Sequence, residues 1–165
     1  MRIKTERLCV RLMRKRDYDD FNKIVVDFRS GDYSMYNPPL PQDDDKMLDY
    51  FYGCLEYIDT FGIYLNDEMI GVVTVTFDND QFEIGYMFKS KHHGKGYAYE
   101  GTKAVIDLLV QQYENYNVQI VAGTATKNIP SIKLLNKLGF RCTSIEEISF
   151  VEGVVIEGRN YVLEY

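Results

Sequence analysis

The 165-residue sequence predicts an α+β domain built on one mixed, mostly antiparallel β-sheet with about four helices, in the order β-α-α-β-β-β-α-β-α-β-β. Three observations carry this. Apolar residues recur at helical spacing over Asp17–Phe28 and again from Asp43 to about Ile58. From Phe61 to Phe88 the period changes to two, interrupted by two short polar turns. A strand, a long helix and a strand then run from Phe82 to Ala122, the order of a right-handed parallel crossover. No internal repeat, low-complexity segment or linker breaks the chain, so residues 1–165 are expected to form a single domain.

Each element has its own warrant. Residues 7–13 alternate enough for a first strand. The helix from Asp17 carries Phe21, Ile24, Val25 and Phe28 on one face, with Asp17 as its N-cap. Ser30–Gln42 holds Gly31, Asn37, Pro38, Pro39 and Pro41 and reads as a loop, because no helix interior accepts those prolines. Asp43, Asp44 and Asp45 suit the positive end of the next helix, whose apolar face is Met47, Leu48, Phe51, Leu55 and Ile58.

Phe61–Leu65, Ile70–Phe77 and Phe82–Phe88 form a meander turned at Asn66-Asp67-Glu68 and Asp78-Asn79-Asp80. Tyr97 to about Tyr113 is a helix with a broad apolar surface, and Val118–Ala122 a short strand. Asn128–Leu138 is a helix capped at Asn128 and stopped by Gly139. Ser144–Val151 and Val154–Leu163 close the chain as a hairpin turning at Glu152-Gly153.

Composition narrows the class. The chain is 45% apolar and 27% charged, as in a folded soluble protein. Its start leads into no apolar signal region and no run reaches membrane-spanning length, so a cytoplasmic protein with no membrane association is expected, as a monomer or homodimer. Cys9, Cys54 and Cys142 are far apart, and the two histidines, His92 and His93, are adjacent, so no metal site is expected and the thiols read as reduced. A net charge of −6 argues against a nucleic-acid partner and suits a cationic small molecule or basic peptide.

The chemistry concentrates in Phe82–Ala98, where a strand feeds a loop with two glycines at a helix N-terminus. Such a junction presents backbone N–H groups to an anion. A dinucleotide fingerprint fails here because Tyr99 stands at its third glycine. A Walker loop fails because Thr102 and Lys103 stand in reversed order after Gly101.

His93-Gly94-Lys95-Gly96-Tyr97-Ala98 instead resembles the pyrophosphate loop of the GNAT acetyltransferase superfamily, with His93 in place of the usual Gln or Arg. The wider run Glu83-Ile84-Gly85-Tyr86 with Gly94–Ala98, and the opening Lys4–Arg11, are similar to the ribosomal-protein N-terminal acetyltransferase (RimJ/RimL-like) branch. Asn128-Ile129-Pro130-Ser131, followed by Gly139-Phe140, resembles the superfamily's second cofactor segment, although a helix cap at Asn128 accounts for that residue equally well.

The resemblance implies an N-acetyltransferase that moves the acetyl group of acetyl-CoA, with no metal, to a primary amine of a small molecule or a peptide N-terminus. It implies that His93, Gly94, Lys95, Gly96, Tyr97 and Ala98 hold the pyrophosphate and that Asn128 and Ser131 meet the pantetheine arm. Backbone N–H groups within Tyr86, Met87 and Phe88, on a strand splayed by a β-bulge, are implied to polarise the thioester. Glu83 is the candidate base, with Asp80 or the acids near Asp43 as alternatives. Ser131 is the candidate acid, since Leu135 stands where many members carry a Tyr. Tyr33, Tyr36, Tyr50 and Tyr52, with Asp32 or Asp43, are candidate walls for the acceptor. A non-catalytic acyl-CoA binder of the same fold is the alternative reading.

Overall fold

The computed structural model describes residues 2–114, 116, 118–151 and 154–164. In chain order the elements are β1 (Arg2–Lys4), β2 (Cys9–Leu12), α1 (Tyr18–Arg29), α2 (Asp44–Glu56), β3 (Asp59–Leu65), β4 (Glu68–Asp78), β5 (Gln81–Phe88), α3 (Tyr97–Tyr113), β6 (Gln119–Ala125), α4 (Ile129–Leu138), β7 (Phe140–Val151) and β8 (Val154–Leu163). The strands make one sheet in the order β1-β2-β3-β4-β5-β6-β8-β7, in which only β5 and β6 run parallel.

The expected architecture is present with one strand more than expected. β1 is three residues long and two of them are basic, so no apolar alternation announces it; it forms by adding to the edge of β2, with Ile3 opposite Val10. β7 also starts at Phe140, directly after Gly139 ends α4 at a φ of 95°, and not at Ser144. The expected turn at Glu152-Gly153 lies outside the described residues.

The two meander turns are two-residue hairpins. Asn66-Asp67 and Asn79-Asp80 all take positive φ, between 47° and 67°, as type I′ turns require of short polar residues. Asp17 does something other than cap α1. Its carboxylate accepts both terminal nitrogens of Arg11 at 2.8 Å and the Arg14 N–H at 2.7 Å, which ties β2 to the start of the helical layer.

Each face of the sheet carries its own core. On one side α3 and α4 cover Phe82, Ile84 and Phe88 of β5 together with Ile120, Phe140 and Tyr161. On the other, α1 and α2 bring Phe21, Ile24, Val25, Met47 and Phe51 against Met69 and Val72, with Met87 at the margin. The alternation of β5 therefore sends its even-numbered side chains toward α3 and α4 and its odd-numbered ones toward α1 and α2. Burying one Leu, Ile or Phe in such a layer contributes about 1.5–3 kcal/mol. Among the described residues the three cysteines are unpaired, and no helix is long and apolar enough to cross a membrane.

Candidate active site

The sheet opens where the parallel pair stops. β5 and β6 pair only over Gln81–Glu83 and Gln119–Val121. Beyond Glu83, β5 stays with β4 as far as Phe88 opposite Gly71, whereas β6 stays with β8 as far as Ala125 opposite Gly158. The result is a wedge-shaped gap with Glu83 at its apex.

The β4–β5 ladder has an unbroken register, so the strands part here without the expected β-bulge in β5. Lys89 donates to the Ile70 carbonyl at 2.9 Å, which sets the alternation of that ladder. Met87 therefore turns its amide to β4, while Tyr86 and Phe88 turn theirs toward the gap. Of the three expected donors, two face the opening.

At the wide end of the gap lies the loop. Gly94 and Gly96 adopt left-handed φ of 72° and 82°, conformations that a side chain rarely tolerates, and α3 begins at Tyr97. The first intrahelical bond here is Glu100 N–H to the Gly96 carbonyl, so the N–H groups of Tyr97, Ala98 and Tyr99 precede the helical ladder. Left-handed glycines followed by these donors form a nest for an anion at the positive end of a 17-residue helix. These donors suit an anionic group such as a diphosphate.

His93 stands where the superfamily has Gln or Arg, and it reaches back to the strand. Its Nε2–H donates to the Phe88 carbonyl at 2.8 Å. That bond fixes the end of β5 to the loop and leaves Nδ1 as the ring's other site. Lys95 lays its Nζ on the Lys91 carbonyl at 2.8 Å. The ring of Tyr97 lies between His92, at 6.0 Å, and the guanidinium of Arg7, at 4.5 Å.

Arg7 and Glu100 are the site residues that sequence reasoning missed. Arg7 donates from Nη1 to the Lys95 carbonyl at 3.0 Å and from Nε to Glu100 at 2.7 Å. The same carboxylate accepts the Arg7 N–H at 2.8 Å and the Thr5 hydroxyl at 2.5 Å. Burial would raise the Glu100 pKa, but the Thr5 and Arg7 bonds outweigh it and hold the carboxyl below its usual range. A lone acid in the first turn of the helix after the glycine loop was the available signal, since it needs a partner to be neutralised; nothing in the sequence said the partner was 93 residues away.

The second segment is at the other wall. Asn128 Oδ1 accepts the Ser131 N–H at 3.3 Å and so caps α4, engaging its carbonyl oxygen and not its NH₂. The Ser131 hydroxyl lies 2.7 Å from the Tyr86 hydroxyl. Leu135, one turn after Ser131 on α4, is fully buried in the α3–α4 core and carries no group that could donate a proton.

Glu83 is exposed, opposite Thr76 on β4 and Val121 on β6, on the α1–α2 face. Asp80 sits in the hairpin turn before β5, at the end away from the loop, and Asp43 caps α2 through the Lys46 N–H. A groove of about 670 Å³ runs between α1, the segment after it and the turn before α3; Asp32, Tyr33, Ser90 and His93 line it. Tyr36 stacks against Tyr33 at 6.3 Å. Tyr50 packs on Phe21 beneath α1, and Tyr52 is exposed on α2. Among the described residues no cluster of three His, Cys, Asp or Glu side chains is arranged to hold a metal ion.

Residues 7–141 match the family model for the acetyltransferase (GNAT) domain. The chain belongs to the GNAT acetyltransferase family. Its GNAT relatives include the uncharacterized N-acetyltransferase YnaD of Bacillus subtilis, 26% identical over 145 residues that cover 86% of this chain and 83% of YnaD. The GNAT acetyltransferase from Bacillus anthracis shares the fold at a TM-score of 0.84, with 20% identity over 99% of this chain and 98% of that one. RimL, a ribosomal L7/L12 α-N-protein acetyltransferase, superposes at 0.85 with 14% identity, over 98% and 93% of the two chains.

Proposed function

We propose that the protein transfers the acetyl group of acetyl-CoA to a primary amine, either a peptide N-terminus or a small-molecule amine, by direct attack. The observation that carries the proposal is the junction of the β5–β6 gap with the left-handed glycine loop at the start of α3. That junction offers a nest for a diphosphate and a slot for the arm in one continuous surface. The ribosomal substrate in RimL's name supports a peptide N-terminus as one acceptor to test.

When bound, acetyl-CoA supplies the thioester that the amine attacks. This chain's residues do the rest. Gly94, Lys95, Gly96, Tyr97 and Ala98 hold the diphosphate through their backbone, with His93 pinning the loop to β5. The amides of Tyr86 and Phe88 meet the thioester oxygen, where negative charge develops, and Met87 walls the slot. The Asn128 NH₂ meets the pantetheine amide. Glu83 takes the ammonium proton, directly or through water, and Ser131 protonates the departing sulfur. Asp32 and Tyr33 in the groove attract the cationic acceptor.

A thiol-release assay over a panel of peptides, polyamines and amino sugars tests this. CoA release that depends on one acceptor class is the expected result. Tight acetyl-CoA binding without release by any amine would instead identify a non-catalytic acyl-CoA binder.

A further inference from the structure

We propose that Tyr86 is a positioning residue for the leaving group, its phenol and the Ser131 hydroxyl acting as one proton-donating pair across the gap between β5 and α4. The proposal rests on the acetyl-transfer reading above, which gives Tyr86 a backbone role only.

Three features point to it. Tyr86 Oη and Ser131 Oγ are 2.7 Å apart, while the alternative contact from Tyr86 to the Ser131 carbonyl is long, at 3.5 Å. The pair also lies beyond the last β5–β6 ladder partners, where strand pairing no longer joins the two walls. Finally, Asn128 already satisfies the Ser131 N–H, so the serine hydroxyl is not needed to start the helix. A phenol is a stronger acid than an alcohol, so Tyr86 donates to Ser131 Oγ and leaves the serine proton for a second acceptor.

The proton balance gives the pair its use. As the C–N bond forms and the C–S bond breaks, the sulfur departs with the electron pair and takes the Ser131 proton. Ser131 Oγ takes the Tyr86 proton in turn. The phenolate is reprotonated from water. The ammonium gives up two protons, one to Glu83 before attack and one to water as the amide forms, so each turnover releases one proton net. Ser131 acting alone would be left as an alkoxide, a much stronger base than a phenolate and a costlier product of the step. Burial pushes the Tyr86 phenol up to about 12, against the opposing effect of the Ser131 bond, so the proton is in place at neutral pH.

The test uses CoA itself and needs no acceptor. The thiol of bound CoA is titrated by its thiolate absorbance in the wild type, Tyr86→Phe and Ser131→Ala, with affinity measured by calorimetry. The expected result is a bound-thiol pKa about one unit lower in the wild type than in either variant, with affinities within about twofold. Tyr86→Phe keeps the ring and its packing, so a purely structural tyrosine would leave the titration unmoved. A titration altered by Ser131→Ala but not by Tyr86→Phe overturns the role of Tyr86, and one altered by neither overturns the pair. Failure of the wild type to bind CoA overturns the acetyl-transfer reading and this proposal with it.

Discussion

The segment before α3 and the segment after α1 both line the groove beside α1, and they are held very differently. Residues 89–96 are tied from several directions. Asp27 on α1 accepts the Ser90 N–H and hydroxyl, Glu68 on β4 pairs with Lys89 and Lys91, Arg7 grips the Lys95 carbonyl, and His93 is fixed to Phe88. Residues 30–42 are held mainly by local turns, by the Asn37 amide on the Tyr33 carbonyl, and by Arg29 on the Pro41 carbonyl. The difference teaches a division of labour. The part that would meet an invariant diphosphate is rigidly preformed, and the part that would meet a variable amine is left to adjust.

The largest way to break that contrast is Gly96→Val. Its φ of 82° strains any L side chain, and a Cβ there would lie 3.3 Å from Arg7 Nη2. CoA affinity by calorimetry is expected to fall more than about a hundredfold; an unchanged value would sink the loop assignment. Next is Glu83→Gln, expected to lower kcat about a hundredfold at neutral pH while leaving CoA affinity alone. An unaltered pH–rate profile in that variant would show that water or another group is the base.

A smaller effect separates bracing from contact. Arg7→Ala removes the grip on Lys95 and the partner of Glu100, so KM for acetyl-CoA is expected to rise about tenfold with kcat nearly constant. Arg7→Lys should recover little of it, because one ammonium cannot replace the bidentate, stacked guanidinium. The smallest effect is on pH stability. Lys91 and Lys89 hold Glu68 at about 2, below its ordinary 4.5. Because the folded value is the lower one, this contribution is complete above about 4.5 and is lost as pH falls toward 2. The Tm of Glu68→Gln should therefore approach that of the wild type as pH drops through that window; a constant difference would refute the linkage.

What was legible in the sequence follows the range of the interactions concerned. Helical spacing in Phe21–Phe28 and period two in Phe61–Phe88 are local signals, and the elements appear where they predict. The glycine loop was legible for the same reason, since a left-handed turn and a helix start are written in adjacent residues. β1 was not, because it borrows its order from β2. Asp17 looked like a cap until Arg11 and Arg14 claimed its carboxylate. The four tyrosines shared one composition argument, yet Tyr33 lines the groove, Tyr36 tilts against Tyr33, Tyr50 packs at the margin of the α1–α2 core and Tyr52 faces solvent. Tertiary partners decide such cases, and spacing alone carries no information about them.

The clamp between Arg7 and Glu100 has a consequence for how the chain is made. Its two halves are separated by 93 residues, so the first leaves the ribosome well before the second. At synthesis rates of about 5–20 residues per second, that is a delay of roughly 5–20 seconds. During it Arg7 lacks its carboxylate partner, and neighbouring Leu8 and Val10 lack the β3 residues they later pack with. The segment that holds Arg7 is thus synthesised well before it is secured, and the loop at the start of α3 acquires its brace only after Glu100 has emerged.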